Sequence, residues 1–313
     1  MGRLGIYGVS IFYVLSGLTL FYVYNQKMKP SKDDLLSFFK KRVFRIFPLL
    51  WLVTIVAILL SRNMPNFNDL FLNLSGLFGF VSWDTYFSPG VWSIGNELVF
   101  YAFFPFFILF VKKFKPLMLL LSIVLLALYL YFAFLKLDPK IDLNEQWRTY
   151  VNPLNQVFLF LGGFLIGYFF NHHKIKNTIV FALLFFGIAI FTFYPAAGNP
   201  IHIVTGVNRL IFTTCCFLIC FCFYKLHYQF PQFIHKPLTL LGETSYSIYL
   251  IHPIIWKLTG ILIAYLGTHN LYPPRFGKLF FSIALTLVVS YYVYNYFEKF
   301  FMKLAHNKRN TTE

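Results

Sequence analysis

The chain of 313 residues is 58% hydrophobic and 22% aromatic, and only 12% of its residues are charged. A soluble protein of this size cannot bury so much apolar surface, so the composition excludes a soluble fold and predicts a bilayer as the solvent. The net charge of +16 does not indicate nucleic acid, because the basic residues cluster in short segments between apolar stretches. Basic segments of this kind orient a membrane protein in the bilayer and are attracted to anionic lipid, and these two effects account for the clusters.

Apolar runs of membrane length predict about nine transmembrane helices. They lie at 6–24, 46–61, 91–111, 116–135, 155–170, 178–194, 206–224, 244–266 and 279–297. The stretch 68–83 is apolar but broken by Asn, Ser and Gly, which favours a short interfacial or re-entrant segment over a tenth span. We therefore expect an all-α integral membrane protein with a single domain over 1–313, whose tail begins at about residue 298.

The basic residues are distributed unequally between alternate connecting segments. The set that begins after the first helix and includes the tail holds 18 of them, whereas the opposite set holds 8. The positive-inside rule then places the C-terminus in the cytoplasm and the N-terminus outside. A chain that begins outside without a cleavable signal sequence suggests that a further helix normally precedes the first one.

All four cysteines lie in the apolar run "TTCCFLICFC" and predict buried, inert thiols rather than a metal or redox site. They are Cys215, Cys216, Cys220 and Cys222. The sequence contains no second cysteine cluster with which they could pair, and no histidine stands at metal-ligand spacing. We expect neither a metal ion nor a permanently bound cofactor.

Glu97 lies inside a predicted span, where an ionisable group is costly and is a functional candidate. Ser93, Asn96 and Tyr101 share its helix face at spacings of three or four residues, and Trp92 is adjacent. Two interpretations remain open from these residues alone. Glu97 is either a structural carboxyl that is bonded to neighbouring helices or part of a functional site.

His252 lies in a second apolar run, "SYSIYLIHPII", at a depth close to that of Glu97 from the opposite face. Taken alone, it fits a packing or hydrogen-bonded role at least as well as a catalytic one.

A basic cluster lies at the predicted cytoplasmic end of the second span, in "FFKKRVFRIFPLLWL". Arg42 and Arg45 are three residues apart on one helix face, with Lys41 beside them. Topology signalling explains part of this charge. The planar guanidinium group also suits phosphate, so a phosphate-bearing donor in the cytoplasm could bind there.

Six blocks in order resemble the membrane acyltransferase-3 family. They are "GVSIFYVLSG" (8–17), "KRVFRIFPLLW" (41–51), "WSIGNELVFYAFFP" (92–105), "FLGGFLIG" (160–167), "LGETSYSIYLIHP" (241–253) and "YNYFEK" (294–299). The resemblance implies a multi-pass enzyme of the bacterial inner membrane. Such an enzyme moves an acyl group, usually acetyl from acetyl-CoA as co-substrate, onto a hydroxyl of a cell-surface glycan or glycolipid.

The resemblance also implies roles for the candidate residues. Arg42 and Arg45, with Lys41, match the basic segment and are expected to bind the phosphates of acyl-CoA. The family's Trp-Ser-x-x-x-Glu block corresponds to Trp92, Ser93 and Glu97, with Asn96 and Tyr101 as further site-shaping residues.

In the "SYSxYL" block and the histidine after it, Tyr249 shapes the site and His252 is the second catalytic candidate, as a hydrogen-bond donor or proton carrier. Glu97 is expected to bind the acceptor hydroxyl or to orient the base. The family's opening helix, with an Arg and a His that acts as base, precedes the first block here. We expect either a misassigned start or a truncated, inactive member.

Two other functions fit the same features. A polytopic transporter or flippase for a glycan or lipid would also use intramembrane Glu, His and Lys, although no hydropathy symmetry between halves indicates one. A partner without catalytic activity in a polysaccharide synthesis complex is the other alternative.

Overall fold

The computed structural model describes residues 2–29, 31–196, 198–269, 274 and 276–306, and no strand occurs among them. The α-helices are α1 (Arg3–Tyr24), α2 (Lys32–Ser61), α3 (Phe67–Ser75), α4 (Phe78–Val81), α5 (Val91–Lys113), α6 (Lys115–Tyr131), α7 (Trp147–Tyr150), α8 (Pro153–Phe170), α9 (Asn177–Phe193), α10 (Gly206–Lys225), α11 (Gln232–Thr268), α12 (Gly277–Tyr292) and α13 (Lys299–His306). Two π-helical turns, Phe132–Lys136 and Val293–Glu298, continue α6 and α12, and a 3₁₀ turn covers Pro200–Ile203.

Eight helical segments in the described part of the chain are long and apolar enough to cross a membrane, and the chain is a multi-pass membrane protein. Each of the nine predicted spans coincides with a helix. The predicted span that is not among these eight segments, 178–194, is α9, which is apolar but has only 17 residues. The number of helices that cross the bilayer and their orientation stay predictions.

Two helices extend well beyond the predicted spans. The helix predicted at 46–61 begins at Lys32, so the basic cluster lies within α2. Asp33 and Asp34 lie in its first turn, where their negative charges stabilise the positive end of the helix dipole. Hydropathy does not detect this helix-start signal. The helix predicted at 244–266 is longer at both ends and spans 37 residues as α11. Of the predicted tail, residues 307–313 lie outside the described residues.

The broken stretch 68–83 forms two short helices, α3 and α4, and is not a span. The Asn66 side chain caps α3 by accepting a hydrogen bond from the Asp69 amide at 2.8 Å. Gly76 ends α3 in the left-handed conformation. The prediction of a short, interrupted segment is confirmed, whereas its location at the membrane surface stays a prediction.

The chain divides into two compact units, and each combines two separate stretches of sequence. The first unit comprises Met1–Asp34 and Gly95–Tyr228, and the second comprises Leu35–Ile94 and Gln229–Glu313. The boundary passes through the first turn of α5. The single domain over 1–313 therefore stays a prediction, and each unit is described by itself.

In the first unit, α1 packs along α8 at a distance that only glycine permits. A Cβ atom on Gly163 would lie 1.9 Å from the Val14 carbonyl oxygen, and one on Gly17 would lie 1.9 Å from that of Phe160. Small residues allow transmembrane helix backbones to approach closely and to pack over a larger area. This contact explains two glycines of "FLGGFLIG", Gly163 and Gly167, as packing residues against α1.

The same unit buries the four cysteines on α10, as predicted, and none of them forms a disulfide. Arg3, at the start of α1, donates hydrogen bonds to backbone carbonyls at and beyond the end of α9, including Phe191 at 2.9 Å and Ala196 at 2.9 Å. The Arg3 guanidinium thus supplies donors for carbonyl groups that the end of a helix leaves without an intrahelical partner.

In the second unit, α11 packs against α12. The hydroxyl groups of Thr259 and Ser282 share a hydrogen bond of 2.7 Å across this contact. Lys257 of α11 donates to the Leu60 carbonyl at 3.1 Å, near the end of α2. A lysine at a helix C-terminus satisfies an open carbonyl and the negative end of the dipole, which gives Lys257 a structural explanation.

Candidate functional site

Glu97 belongs to the first unit and is only 3% exposed. The Tyr101 hydroxyl, one turn further along α5, donates to Glu97 Oε1 at 2.9 Å. The Ser16 hydroxyl of α1 lies 2.8 Å from the Tyr101 oxygen. Because the single Tyr101 proton goes to Glu97, Ser16 donates to Tyr101. The result is a directed hydrogen-bond chain from Ser16 through Tyr101 to a buried carboxyl group.

Asn96 is fully buried and lies next to Glu97 on α5. Its side-chain amide donates to the Tyr13 hydroxyl at 3.1 Å, a second contact with α1. Its Oδ1 atom is buried and has no hydrogen-bond partner among the described residues. The first unit thus joins three predicted site residues, Glu97, Asn96 and Tyr101, to side chains of α1.

Trp92, Ser93 and Tyr249 belong to the second unit. Tyr249 donates to the Gly90 carbonyl at 3.0 Å, and Ser93 Oγ lies 2.8 Å from the Tyr249 oxygen and 2.9 Å from that carbonyl. Gly90 has a φ of +91°, a conformation that favours glycine. Trp92 is buried beside Ser93. The structure therefore brings together Ser93 and Tyr249, two of the predicted site-shaping residues, at the turn that begins α5.

The two arginines of the basic cluster, Arg42 and Arg45, lie near aromatic and sulfur groups of the second unit. The Arg45 guanidinium carbon is 6.0 Å from the centre of the Tyr246 ring, and Nη1 is 3.2 Å from the Met302 sulfur. The Arg42 guanidinium carbon is 5.8 Å from the centre of the Phe38 ring. Both arginines and Lys41 are partly exposed. Aromatic faces hold a guanidinium by cation–π attraction, and the planar guanidinium group suits phosphate.

Glu298 is a buried acid that the sequence reasoning missed. It ends the π-helical turn after α12, is 2% exposed, and accepts a hydrogen bond from the Ser247 hydroxyl through Oε1. Its Oε2 atom is buried without a hydrogen-bond partner in the described chain. The available signal was the one acid within the aromatic block "YNYFEK". π-Helical turns occur frequently at functional sites.

His252 lies on an exposed face of α11 in the second unit. Its Nδ1 is 3.2 Å from the Ile248 carbonyl, and its ring centre is 5.9 Å from that of Tyr249. It lines an open, mostly apolar groove of about 270 Å³ between α11 and α12, together with Trp256 and Thr286. His252 is therefore accessible, whereas Glu97 is buried.

The predicted residues fall into both units. Glu97, Asn96 and Tyr101 lie in the first, and the other predicted residues lie in the second. The second group comprises Lys41, Arg42, Arg45, Trp92, Ser93, Tyr249 and His252. The sequence did not identify Ser16 or Ser247 as partners, because each contact joins helices that are distant in sequence. The roles assigned to all of these residues stay predictions.

Comparisons with known proteins place the chain in a family. The model of the acyltransferase domain of the acyltransferase-3 family matches residues 1–295. An O-acetyltransferase OatA from Staphylococcus aureus (strain NCTC 8325 / PS 47) is 26% identical over 289 residues, which cover 80% of this chain and 46% of the relative. A peptidoglycan O-acetyltransferase OatA from Listeria monocytogenes (serovar 1/2a, strain EGD-e) is 24% identical over 328 residues, which cover 94% and 51%.

The chain thus spans about half the length of the curated relatives that it matches. No solved structure matches it. The family match extends over nearly the whole sequence and includes every predicted site residue. The chain belongs to the acyltransferase-3 family of acyltransferase domains.

Proposed function

We propose that the protein is a membrane-bound O-acyltransferase that moves an acyl group, most simply acetyl, from cytoplasmic acyl-CoA to a hydroxyl of a cell-surface glycan or glycolipid. The observation that carries the proposal is the buried Glu97 carboxyl, hydrogen-bonded by Tyr101, in a chain that matches an acyltransferase family over residues 1–295. The chain acts in the bacterial cytoplasmic membrane, with the C-terminus on the cytoplasmic side.

Acyl transfer requires a base for the alcohol proton and donors for the negative charge that develops on the thioester oxygen. The acceptor oxygen attacks the thioester carbon, the carbon–sulfur bond breaks, and the proton passes through the base to the departing CoA thiolate. Glu97 binds the acceptor hydroxyl or orients the base. The hydrogen-bond chain from Ser16 through Tyr101 fixes the carboxyl group for that task.

The arginine pair supplies the donor site. CoA carries several phosphate groups, and guanidinium groups bind phosphate through paired N–H donors. Arg42 and Arg45 are partly exposed, three residues apart on α2, and lie near the aromatic rings of Phe38 and Tyr246. Lys41 adds a third positive charge. Acyl-CoA is in this proposal a co-substrate and not a permanently bound cofactor.

The remaining residues shape the site and carry protons. Ser93 and Tyr249 hold the turn at Gly90, and Trp92 packs beside them. The accessible imidazole of His252 acts as a hydrogen-bond donor or proton carrier. The proposed acceptor class includes peptidoglycan, because that glycan is named for the relative from Listeria monocytogenes.

Transfer of labelled acetyl tests the function. Membranes from cells that express the gene at its own locus are incubated with radiolabelled acetyl-CoA and purified glycan, and alkali-labile label on the glycan is counted. We expect transfer that requires the protein. A transporter, or a partner without catalytic activity, would give no transfer above that of membranes from a deletion strain.

The donor site is tested with two arginine variants. Arg45→Gln should raise the KM for acetyl-CoA at least tenfold, because one phosphate contact with a charged partner contributes about 1.5–3 kcal/mol. Arg62→Gln changes an exposed arginine just beyond the C-terminal end of α2 and should leave the KM unchanged. An unchanged KM in both variants would remove Arg45 from the donor site.

A further inference from the structure

Arg209 is a buried arginine that the proposed reaction does not use. It lies in the first turn of α10 in the first unit and is 4% exposed. Nη2 donates to Asn155 Oδ1 at 2.7 Å and to the Asn155 carbonyl at 3.1 Å. The guanidinium carbon lies 4.3 Å from the centre of the Tyr129 ring. Nη1 is buried and has no hydrogen-bond partner within the described chain.

The charge of Arg209 has no counterion among the described residues. Its contacts are Asn155 and the Tyr129 ring, and neither carries a negative charge. An arginine stays protonated in proteins, so Arg209 cannot lose its charge when it is buried. A buried charge without a partner is strongly unfavourable, which makes an anion at this position favourable.

Three helix N-termini reinforce the positive potential around Arg209. A small cavity at this end of the unit is lined by Ile6, Gln156 and Arg209, which lie in the first turns of α1, α8 and α10. The N-terminal end of a helix carries a partial positive charge and open N–H groups. All three therefore favour a negative charge near the cavity.

The cavity also has a hydroxyl donor and a defined size. Tyr129 and Thr213 both line it, and their hydroxyl groups share one hydrogen bond. Two hydroxyl groups contain two protons, so one proton of the pair remains available to another acceptor. The volume is about 10 Å³, close to the least that holds one water molecule, so only a monatomic ion comes near this size, and a chloride ion requires the lining side chains to move slightly outward. Acetate, phosphate and sulfate are too large.

We propose that this cavity is a buried binding site for a single monatomic halide, with chloride as its ordinary occupant. Arg209 Nη1 and the free hydroxyl proton of the Tyr129–Thr213 pair donate to the ion, and the ion neutralises the buried guanidinium. The site is structural: it stabilises the end of the first unit where α1, α8 and α10 begin. It is independent of the proposed acyl transfer.

Thermal unfolding of the purified protein in detergent tests the site, in chloride and in gluconate at equal ionic strength. Because a ligand that binds only the folded state raises its stability, chloride should raise the Tm saturably, by about 2 °C or more. Arg209→Met should abolish the chloride effect. The matched control is Arg3→Met, which removes an arginine of the same unit that carbonyl groups already pair, and which should keep the effect. Equal Tm values for the wild type in both salts would overturn the proposal.

A second measurement needs no variant, in case Arg209→Met does not fold. Crystals of the wild-type protein grown in bromide should show an anomalous scattering peak beside Arg209 Nη1. A bromide peak there supports the site. Density in the cavity without an anomalous signal, which would indicate water, overturns it.

Discussion

The contact between α1 and α8 provides a prediction whose magnitude follows from the structure. In Gly163→Ala, the new Cβ atom would lie 1.9 Å from the Val14 carbonyl oxygen and 2.7 Å from its carbon. Real Cβ contacts stay beyond about 3.0 Å, so the two backbones must separate by about 1 Å at the crossing. Neither backbone can rotate away as a side chain could.

Overpacking of this kind lowers the free energy of unfolding by about 1–3 kcal/mol. Because each kcal/mol corresponds to about 2–4 °C of Tm in a large domain, the Tm should fall by roughly 2–12 °C. The assay is thermal unfolding of the detergent-purified protein, followed by tryptophan fluorescence. Because α1 also carries Ser16, the same displacement should weaken its hydrogen bond to Tyr101 and lower acyl transfer.

Gly8→Ala is the matched control. Gly8 lies on α1, and a Cβ atom there would meet nothing within 4 Å. Alanine is favoured over glycine in a helix by about 0.5–1 kcal/mol, so this variant should be as stable as the wild type or slightly more stable. If Gly163→Ala unfolds at the same temperature as Gly8→Ala, the reasoning about a contact that only glycine permits is refuted.

Two further variants test the hydrogen bonds to buried acids. Tyr101→Phe removes the hydroxyl that donates to Glu97. Because a hydrogen bond to a charged acceptor contributes about 1.5–3 kcal/mol, the rate of acyl transfer should fall about ten- to hundredfold at normal protein levels. A wild-type rate in this variant would exclude a role for the bond. Ser247→Ala leaves Glu298 without its hydroxyl donor and should destabilise the protein by about 1–3 kcal/mol in thermal unfolding. Ser245→Ala is its control, because that hydroxyl bonds only the backbone of its own helix, and equal losses in both variants would contradict the assignment.

The sequence predicted the positions of the helices well, for a physical reason. Apolar runs report burial in lipid, and each of the nine runs coincides with a helix. Hydropathy does not identify helical turns that lie outside an apolar run. The predicted spans therefore began too late for α2, which starts at Lys32, and for α11, which starts at Gln232. Glu298 was assigned to the tail because a charge ends an apolar run, although the structure buries it.

The candidate site was predictable in part. Helical spacing on one chain segment identified Tyr101 as a neighbour of Glu97, and the hydrogen bond between them agrees. Partners from other helices could not be identified in this way. Ser16 and Tyr13 lie on α1 and form hydrogen bonds with residues of α5 through the tertiary packing of the first unit. The spacing of residues within one helix contains no information about such contacts.

We propose that the buried carboxyl group of Glu97 supports acyl transfer to a surface glycan. The most direct test replaces it by Glu97→Gln at the native locus and measures ester-linked acetyl on the isolated glycan by mass spectrometry. Protein level and Tm are checked alongside, so that loss of folding is recognised.

We expect the wild-type strain to carry acetyl esters and Glu97→Gln to reduce them about a hundredfold, to the level of a deletion strain, with the protein still folded in the membrane. Unchanged acetylation by a folded Glu97→Gln protein, or a wild-type glycan no more acetylated than that of the deletion strain, would contradict the proposal.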